Sequence, residues 1–184
     1  MSKGNVFIIS GPSGSGKDTI IVKLLEKMPE LFFSISSITR NMREGEIEGE
    51  KYNFISKQAF EDLIKNDALL EYNCYVGNYY GTPKAPVEKA VNDGKNALIE
   101  VDVNGAANIR KVLPSVKSIF IMPPSVEELR RRLNGRGTET EEVIERRMNA
   151  ALGEMERANE YTYTVVNDNL ETAVEEIVKI IKNA

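Results

Sequence analysis

The sequence predicts an α/β fold, a mostly parallel sheet covered by helices on both faces. Three observations carry that expectation. Short apolar runs alternate with helical patterns along the chain, the signature of strand–helix–strand units. The first run, Val6 to Ile9, leads through a glycine-rich turn directly into a helical pattern, Ile20 to Met28. The 184 residues suit one domain, and a hydrophobic content of 41% is enough to fill its core.

The turn reads Gly11-Pro12-Ser13-Gly14-Ser15-Gly16-Lys17, then Asp18 and Thr19. G-x-x-x-x-G-K between a strand and a helix is the P-loop pattern, which narrows the expectation to a P-loop NTPase fold. Its glycines let successive N–H groups converge on an anion, and the helix N-terminus adds partial positive charge. Lys17 would reach the terminal phosphates of a nucleotide triphosphate. A tight glycine turn with no ligand would not explain the lysine.

The remaining elements follow in order. Pro29 ends the first helix, and Phe32 to Ser36 reads as a strand. Residues 37 to 51 form a polar loop with Thr39, Arg40, Arg43 and four glutamates. Tyr52 to Ile55 is a short strand, and Ser56 starts a helix bearing Phe60, Leu63 and Ile64 on one face. Leu69 to Val76 is extended, Gly77-Asn78 is a turn signal, and Pro83 and Pro86 bracket the start of the next helix, which Gly94 caps. Ala97 to Asp102 is a buried strand with two carboxylates, Glu100 and Asp102, on alternate positions at its end. A helix over Ala106 to Lys111 precedes the apolar strand Lys117 to Met122. Ser125 with Glu128 makes a capping box for the next helix. Gly135 and Gly137 interrupt an arginine-rich stretch before a long helix resumes near Glu141. Tyr163 to Val166 is a strand, and Leu170, Ala173, Val174, Ile177, Val178 and Ile181 mark an amphipathic closing helix.

These readings give one domain with three parts: a core over about 1–33, 86–128 and 150–184, an inserted lobe over about 34–85, and a mobile lid over about 129–149. Net charge is −4, which disfavours nucleic-acid polymers as partners, although a local arginine cluster still suits a small anion. There is no histidine, so histidine triads and histidine metal sites are excluded. The single Cys74 cannot form an intramolecular disulfide and fits a reducing, cytoplasmic setting. No apolar run approaches the roughly 18–20 residues of a membrane span, and the start of the chain leaves no room for a signal peptide.

Arginines in a mobile segment suit phosphoryl transfer, because their planar forks grip phosphate oxygens and never lose charge. The run from Arg130 to Arg147, broken by Gly135-Arg136-Gly137, reads as a closing lid, with Arg130 and Arg131 more simply a solvated face. Glu100 and Asp102 lie where open α/β sheets bind ligands, and could hold Mg²⁺-bound water, donor groups of an acceptor, or a neighbouring arginine. On their own, Arg40 and Arg43 could clamp a second phosphate or be plain surface, and Tyr52 and Tyr80 would pass for ordinary aromatics.

In combination these residues resemble the guanylate kinase family, enzymes that move the γ-phosphoryl group of ATP onto GMP. The matching stretches are the glycine loop through Lys17, Ser34-Ile35-Ser36 with Thr39-Arg40 and Arg43, Gly45-Glu46 to Tyr52, Gly77-Asn78-Tyr79-Tyr80-Gly81-Thr82, and Gly135-Arg136-Gly137-Thr138. They span nearly the whole chain in family order. The resemblance implies ATP and GMP (with dGMP) as substrates, Mg²⁺ as the cofactor carried with ATP, and no nucleic acid or membrane partner; it leaves a homo-oligomer open. It implies catalytic roles for Lys17, Arg40, Arg136 and Arg147. ATP would be held by Gly11, Pro12, Ser13, Gly14, Ser15, Gly16, Lys17, Asp18, Thr19, Arg132, Arg136 and Asn167. GMP would be held by Arg40, Arg43, Tyr52 and Tyr80 at its phosphate and by Ser36, Glu71, Thr82 and Asp102 around guanine, with Glu100 nearby. Asp18 directly, and Glu100 through water, are the expected approaches to the metal.

Asp18 departs from the pattern, which asks for Ser or Thr after the lysine to ligate Mg²⁺. A carboxylate there either joins the metal or repels the phosphates; at ~4 Å that repulsion is about 1–4 kcal/mol. Ile38 and Met42 also replace residues commonly Thr and Pro in the family. Two rival readings remain: a non-catalytic guanylate-kinase-like interaction module, which the intact Lys17 and arginine set argue against, and a P-loop kinase for another phosphorylated acceptor, which Glu71, Tyr80 and Thr82 argue against.

Overall fold

The computed structural model describes residues 3–135 and 140–184, so Arg136, Gly137 and Thr138 of the expected lid lie outside the described residues. The elements run β1 (Val6–Ser10), α1 (Lys17–Lys27), β2 (Phe32–Ser34), β3 (Ser36–Ile38), β4 (Tyr52–Phe54), α2 (Lys57–Lys65), β5 (Leu69–Tyr75), β6 (Asn78–Pro83) and α3 (Lys84–Asn92). They continue with β7 (Ala97–Glu100), α4 (Val103–Val112), β8 (Lys117–Met122), α5 (Val126–Asn134), α6 (Glu141–Met155), a 3₁₀ turn over Glu156–Glu160, β9 (Tyr163–Val166) and α7 (Leu170–Lys182). A five-stranded sheet has the order β2-β7-β1-β8-β9, and a four-stranded sheet the order β4-β3-β6-β5.

The first sheet is parallel where β2 meets β7, β1 meets β8 and β8 meets β9. Its central strands β1, β7 and β8 are largely apolar because both faces are covered: Phe7, Ile8, Ile9, Leu98, Ile99 and Ile119 to Ile121 are fully buried. The second sheet is mixed, with β3 parallel to β4 and antiparallel to β6, and β5 antiparallel to β6.

The chain forms two compact units. One comprises the described residues through Val6, with Glu30–Ile99 and Asn104–Val116. It holds the four-stranded sheet, β2, most of β7, and helices α2, α3 and α4. Phe60 of α2 is fully buried there, stacked on Tyr79 at 5.1 Å and edge-on to Tyr72. The other comprises Phe7–Pro29, Glu100–Val103 and the described residues from Lys117 onward. In it α1 packs on α7. The α7 stripe Ala173, Val174, Ile177 and Ile181 is buried, and its start is capped by the Asn169 side chain accepting from Thr172 N–H at 3.0 Å. α5 and α6 share a core of Leu129, Leu133, Ile144, Met148 and Ala151.

The start of α3 is bracketed by Pro83 and Pro86 as expected: Pro83 closes β6 and caps the helix, and Pro86 stands in the first turn, where a missing N–H costs nothing. Three details differ from the sequence reading. The expected strand Phe32 to Ser36 is two strands, because the chain leaves the five-stranded sheet after Ser34 and joins the four-stranded one at Ser36. β7 stops at Glu100, so Asp102 lies beyond it, just before α4. The hairpin turn is Val76-Gly77, since Tyr75 pairs with Asn78.

Both turn residues have positive φ, 47° at Val76 and 76° at Gly77, the sign pattern of a type I′ turn. A β-branched residue is strained there, and Val76 is 80% exposed, so no burial offsets the strain. Val76→Asn is expected to stabilise the protein by about 1 kcal/mol, read as a higher thermal midpoint, since the left-handed conformation costs most residues roughly 1–2 kcal/mol and Asn much less. An unchanged or lower midpoint would count against strain at this turn.

Candidate active site

The glycine loop leaves β1 and enters α1 with Gly16 in the N-cap position at φ 85°. No side chain caps this helix, so its leading N–H groups are presented to an anion. Ser15 Oγ is buried and finds no hydrogen-bond partner among the described residues. Lys17, the first residue of α1, brings Nζ to 3.4 Å from Glu100 Oε1, and both side chains are mostly shielded. The segment after β7 is pinned beside the loop: Ser10 Oγ–H donates to the Val101 carbonyl at 2.7 Å and Val101 N–H to the Ile9 carbonyl at 3.3 Å. From α6, Arg147 donates to Ser13 Oγ at 2.8 Å.

Asn167, directly after β9, is buried, and its Nδ2 donates to the Ser15 carbonyl at 2.8 Å. A Cβ on residue 16 would stand 2.3 Å from that Nδ2, so the slot exists only because Gly16 has no side chain. Arg132 donates from Nη2 to the Asn167 carbonyl at 3.0 Å and from Nη1 to the Ser15 carbonyl at 3.4 Å. The resemblance implies that Arg132 and Asn167 touch the donor nucleotide; both also hold the back of the loop.

The expected acceptor residues of the other unit converge around β3, β4 and β6. Arg40 follows β3, its guanidinium 5.5 Å over the Tyr52 ring and 5.6 Å over Phe54. Tyr52 and Tyr80 both act on its charge. Two Arg40 nitrogens, Nη1 and Nη2, donate to Glu46 at 2.7 and 2.6 Å, and Nη1 also to the Asn41 carbonyl at 3.0 Å. Arg43 N–H donates to Glu46 as well, at 2.7 Å. This bonding holds the Glu46 carboxyl down to about 2, first through Arg40 and then through Arg43 N–H. Three of the five guanidinium N–H groups are thereby used. The remaining Nε–H and second Nη2–H lie side by side, the fork that fits two phosphate oxygens.

Glu71 and Thr82 are opposite each other on β5 and β6, and the buried Thr82 hydroxyl donates to Glu71 Oε1 at 2.7 Å. Ser36 pairs with Tyr52 across β3 and β4, and Tyr80 pairs with Ile38. Seven expected GMP residues therefore share one unit: Ser36, Arg40, Arg43, Tyr52, Glu71, Tyr80 and Thr82. Glu100 and Asp102 belong to the other, with the glycine loop.

Two carboxylates have no role assigned from the sequence. Glu46 was visible only as part of a motif; no local pattern says that it organises both loop arginines. Glu154 on α6 is half-buried, and burial raises its carboxyl, as does the charge of Asp102, while Lys17 and Arg157 oppose the shift. Its signal was its place three residues after Ala151, beside the apolar stripe of α6. No group of three or more acidic or cysteine side chains among the described residues could hold a metal ion by itself.

A family model for guanylate kinase matches residues 3–184. A guanylate kinase of Synechocystis is 46% identical over 179 residues, covering 97% of this chain and 94% of its own length. One of Clostridium tetani is 47% identical over 181 residues, 98% of this chain and 86% of its own. The crystal structure of guanylate kinase from Anaplasma phagocytophilum superposes with a TM-score of 0.80 at 33% identity, covering 100% of this chain and 87% of that one. With the glycine loop, the braced arginines and the Glu71–Thr82 pair all in family order, the chain belongs to the guanylate kinase family.

Proposed function

We propose that the protein transfers the γ-phosphoryl group of ATP to the phosphate of GMP or dGMP, yielding ADP and GDP or dGDP. The observation that carries this reading is the Arg40 fork, held from behind by Glu46 beside Tyr52 and Tyr80, in the unit that also carries Glu71 and Thr82. Guanine offers N1–H and N2–H₂ donors, which a carboxylate accepts as a pair. The Thr82 hydroxyl orients Glu71 for that task. Adenine lacks the donor pair and would leave the carboxylate poorly matched.

The acceptor is already an anionic phosphate oxygen, so no side chain has to be a strong base. Its oxygen forms the new bond to the γ-phosphorus while the bond to the ADP oxygen breaks, and charge is conserved without a proton transfer. What the chain supplies is alignment and positive charge. Gly11, Pro12, Ser13, Gly14, Ser15, Gly16 and Thr19 cradle the donor phosphates, and Lys17, Arg132 and Arg147 neutralise them. Arg136 is assigned the same task on the resemblance. Glu100 holds Lys17 in place.

The donor set fits Mg²⁺ brought in by the nucleotide, since this ion commonly takes one or two carboxylates, substrate phosphates and waters. Asp18, and Glu100 through water, are the residues that would hold it. Held there, Mg²⁺ would help neutralise the charge of the donor phosphates. We assign the protein to the cytoplasm. No helix among the described residues is long and apolar enough to cross a membrane.

Coupled ADP-release assays test the reading. Turnover is expected with GMP and dGMP and near background with AMP, CMP and UMP; absence of turnover with GMP would overturn it and favour the interaction module instead. Glu71→Ala should erase the preference for GMP over AMP.

Glu46→Gln should raise the KM for GMP about tenfold with little change in that for ATP, the worth of one charge-assisted hydrogen bond. The Glu46 carboxyl sits below its ordinary value, so its pairing is intact above about pH 4.5 and is lost as pH falls toward about 2. Carboxyl ¹³C titration by NMR should give a Glu46 midpoint near 2; a midpoint at the usual glutamate value would show that the pair does not form in solution. For Asp18→Ser we expect a higher Mg²⁺ requirement and weaker activity, measured as rate against Mg²⁺ concentration. A large gain in rate would show Asp18 to repel the phosphates instead.

A further inference from the structure

The capping-box pattern assigns the Glu128 side chain to the start of α5, and the structure gives it another task. Ser125 Oγ does accept from Glu128 N–H, at 3.0 Å. The Glu128 carboxylate turns away and accepts from Arg131 Nε and Nη2 at 2.6 and 2.7 Å and from Arg132 Nε at 2.7 Å. These bonds hold its carboxyl down to about 2. Arg131 is largely exposed, whereas Arg132 is shielded and reaches 117 residues back along the chain to the glycine loop.

Arg132 bridges two carbonyls there, those of Ser15 and Asn167, while Asn167 Nδ2 donates to the same Ser15 carbonyl. The consequence follows from peptide geometry. In a planar trans peptide the carbonyl of residue 15 and the N–H of residue 16 point in opposite directions. Drawing the Ser15 carbonyl toward Asn167 and Arg132 therefore aims the Gly16 N–H away from them. That N–H belongs to the anion cradle at the head of α1. α5 is also seated on the loop through Leu129 and Leu133, both of which would lie 3.0 Å from a Cβ at Gly14.

We infer that Glu128 is a positioning residue for the donor-nucleotide site, acting through Arg132 to fix the Ser15–Gly16 peptide. The inference rests on the reading of the glycine loop as the ATP site. Glu128 touches no substrate. It holds Arg132 at Nε, which leaves Nη1 and Nη2 to bridge the two carbonyls and one further N–H on each for an anion. The Ser125 cap of α5 uses only the backbone N–H of Glu128, which Glu128→Gln preserves.

The test measures ATP and GMP affinities separately by isothermal titration calorimetry, with thermal midpoints alongside. Glu128→Gln is expected to weaken ATP binding about tenfold, the loss of one hydrogen bond to a charged group, and to leave GMP binding within about twofold. In an Arg132→Ala background the same substitution should have no further effect on ATP binding, because the group it acts through is gone. Equal additional weakening in that background would overturn the inference. So would a Glu128→Gln protein that loses thermal stability while keeping its ATP affinity. If unmodified protein binds no ATP, the reading of the loop fails first, a result distinct from either outcome with the variants.

Discussion

The carbonyl of Ser15 is the point on which the donor site depends. It accepts from Asn167 and from Arg132, two groups that arrive from different helix and strand ends. The approach of Asn167 requires the absence of a side chain at Gly16, whose φ of 85° is itself costly for other residues. One peptide thus joins the loop to α5 and to the end of β9. The glycine motif is usually discussed as a cradle whose inner surface binds phosphate. Here its outer surface is as closely specified as its inner one.

A second constraint is the handling of positive charge. A site for two phosphate groups concentrates lysine and arginine, and a poorly solvated cation is costly unless paired. Three of the cations implied in catalysis or binding each lie on a carboxylate: Lys17 on Glu100, Arg40 on Glu46, and Arg132 on Glu128. In the two arginine cases the carboxylate takes only part of the fork, so pairing and phosphate binding are compatible. An Arg–carboxylate contact of this kind fixes direction as well as charge, because the guanidinium is planar and its N–H groups are rigidly spaced. The net charge of the chain conceals this arrangement.

Much of the site was readable in the linear order, and the reason is that its signals are local. The glycine loop, Lys17 and the following helix are contiguous, and strand–turn–helix is recognisable from a few residues. Thr39-Arg40 and Arg43 lie within one loop, and the Glu71–Thr82 pair follows once β5 and β6 form a hairpin. Where the reading slipped, the deciding contact was remote or the competing partner was invisible. Ser125 and Glu128 have capping-box spacing, yet the Glu128 carboxylate goes to two cationic forks, which outbid a neutral backbone N–H. Phe32 to Ser36 has uniform strand character, and only the presence of two sheets splits it. Nothing near Val76 forecasts a β-branched residue in a left-handed turn.

The chain order was enough to determine the class of fold, the phosphate loop and the family, because alternation of apolar runs and short motifs depend on neighbours a few residues apart. Asn167 bonds the loop across 152 residues and Arg132 across 117, and no spacing rule connects positions that distant. Which edge of each arginine faces a carboxylate, and which remains for phosphate, depends on side-chain directions that exist only once the sheets and helices have packed. That packing turns Glu46 and Glu128 from loop and cap residues into the groups that aim the clamp and the cradle.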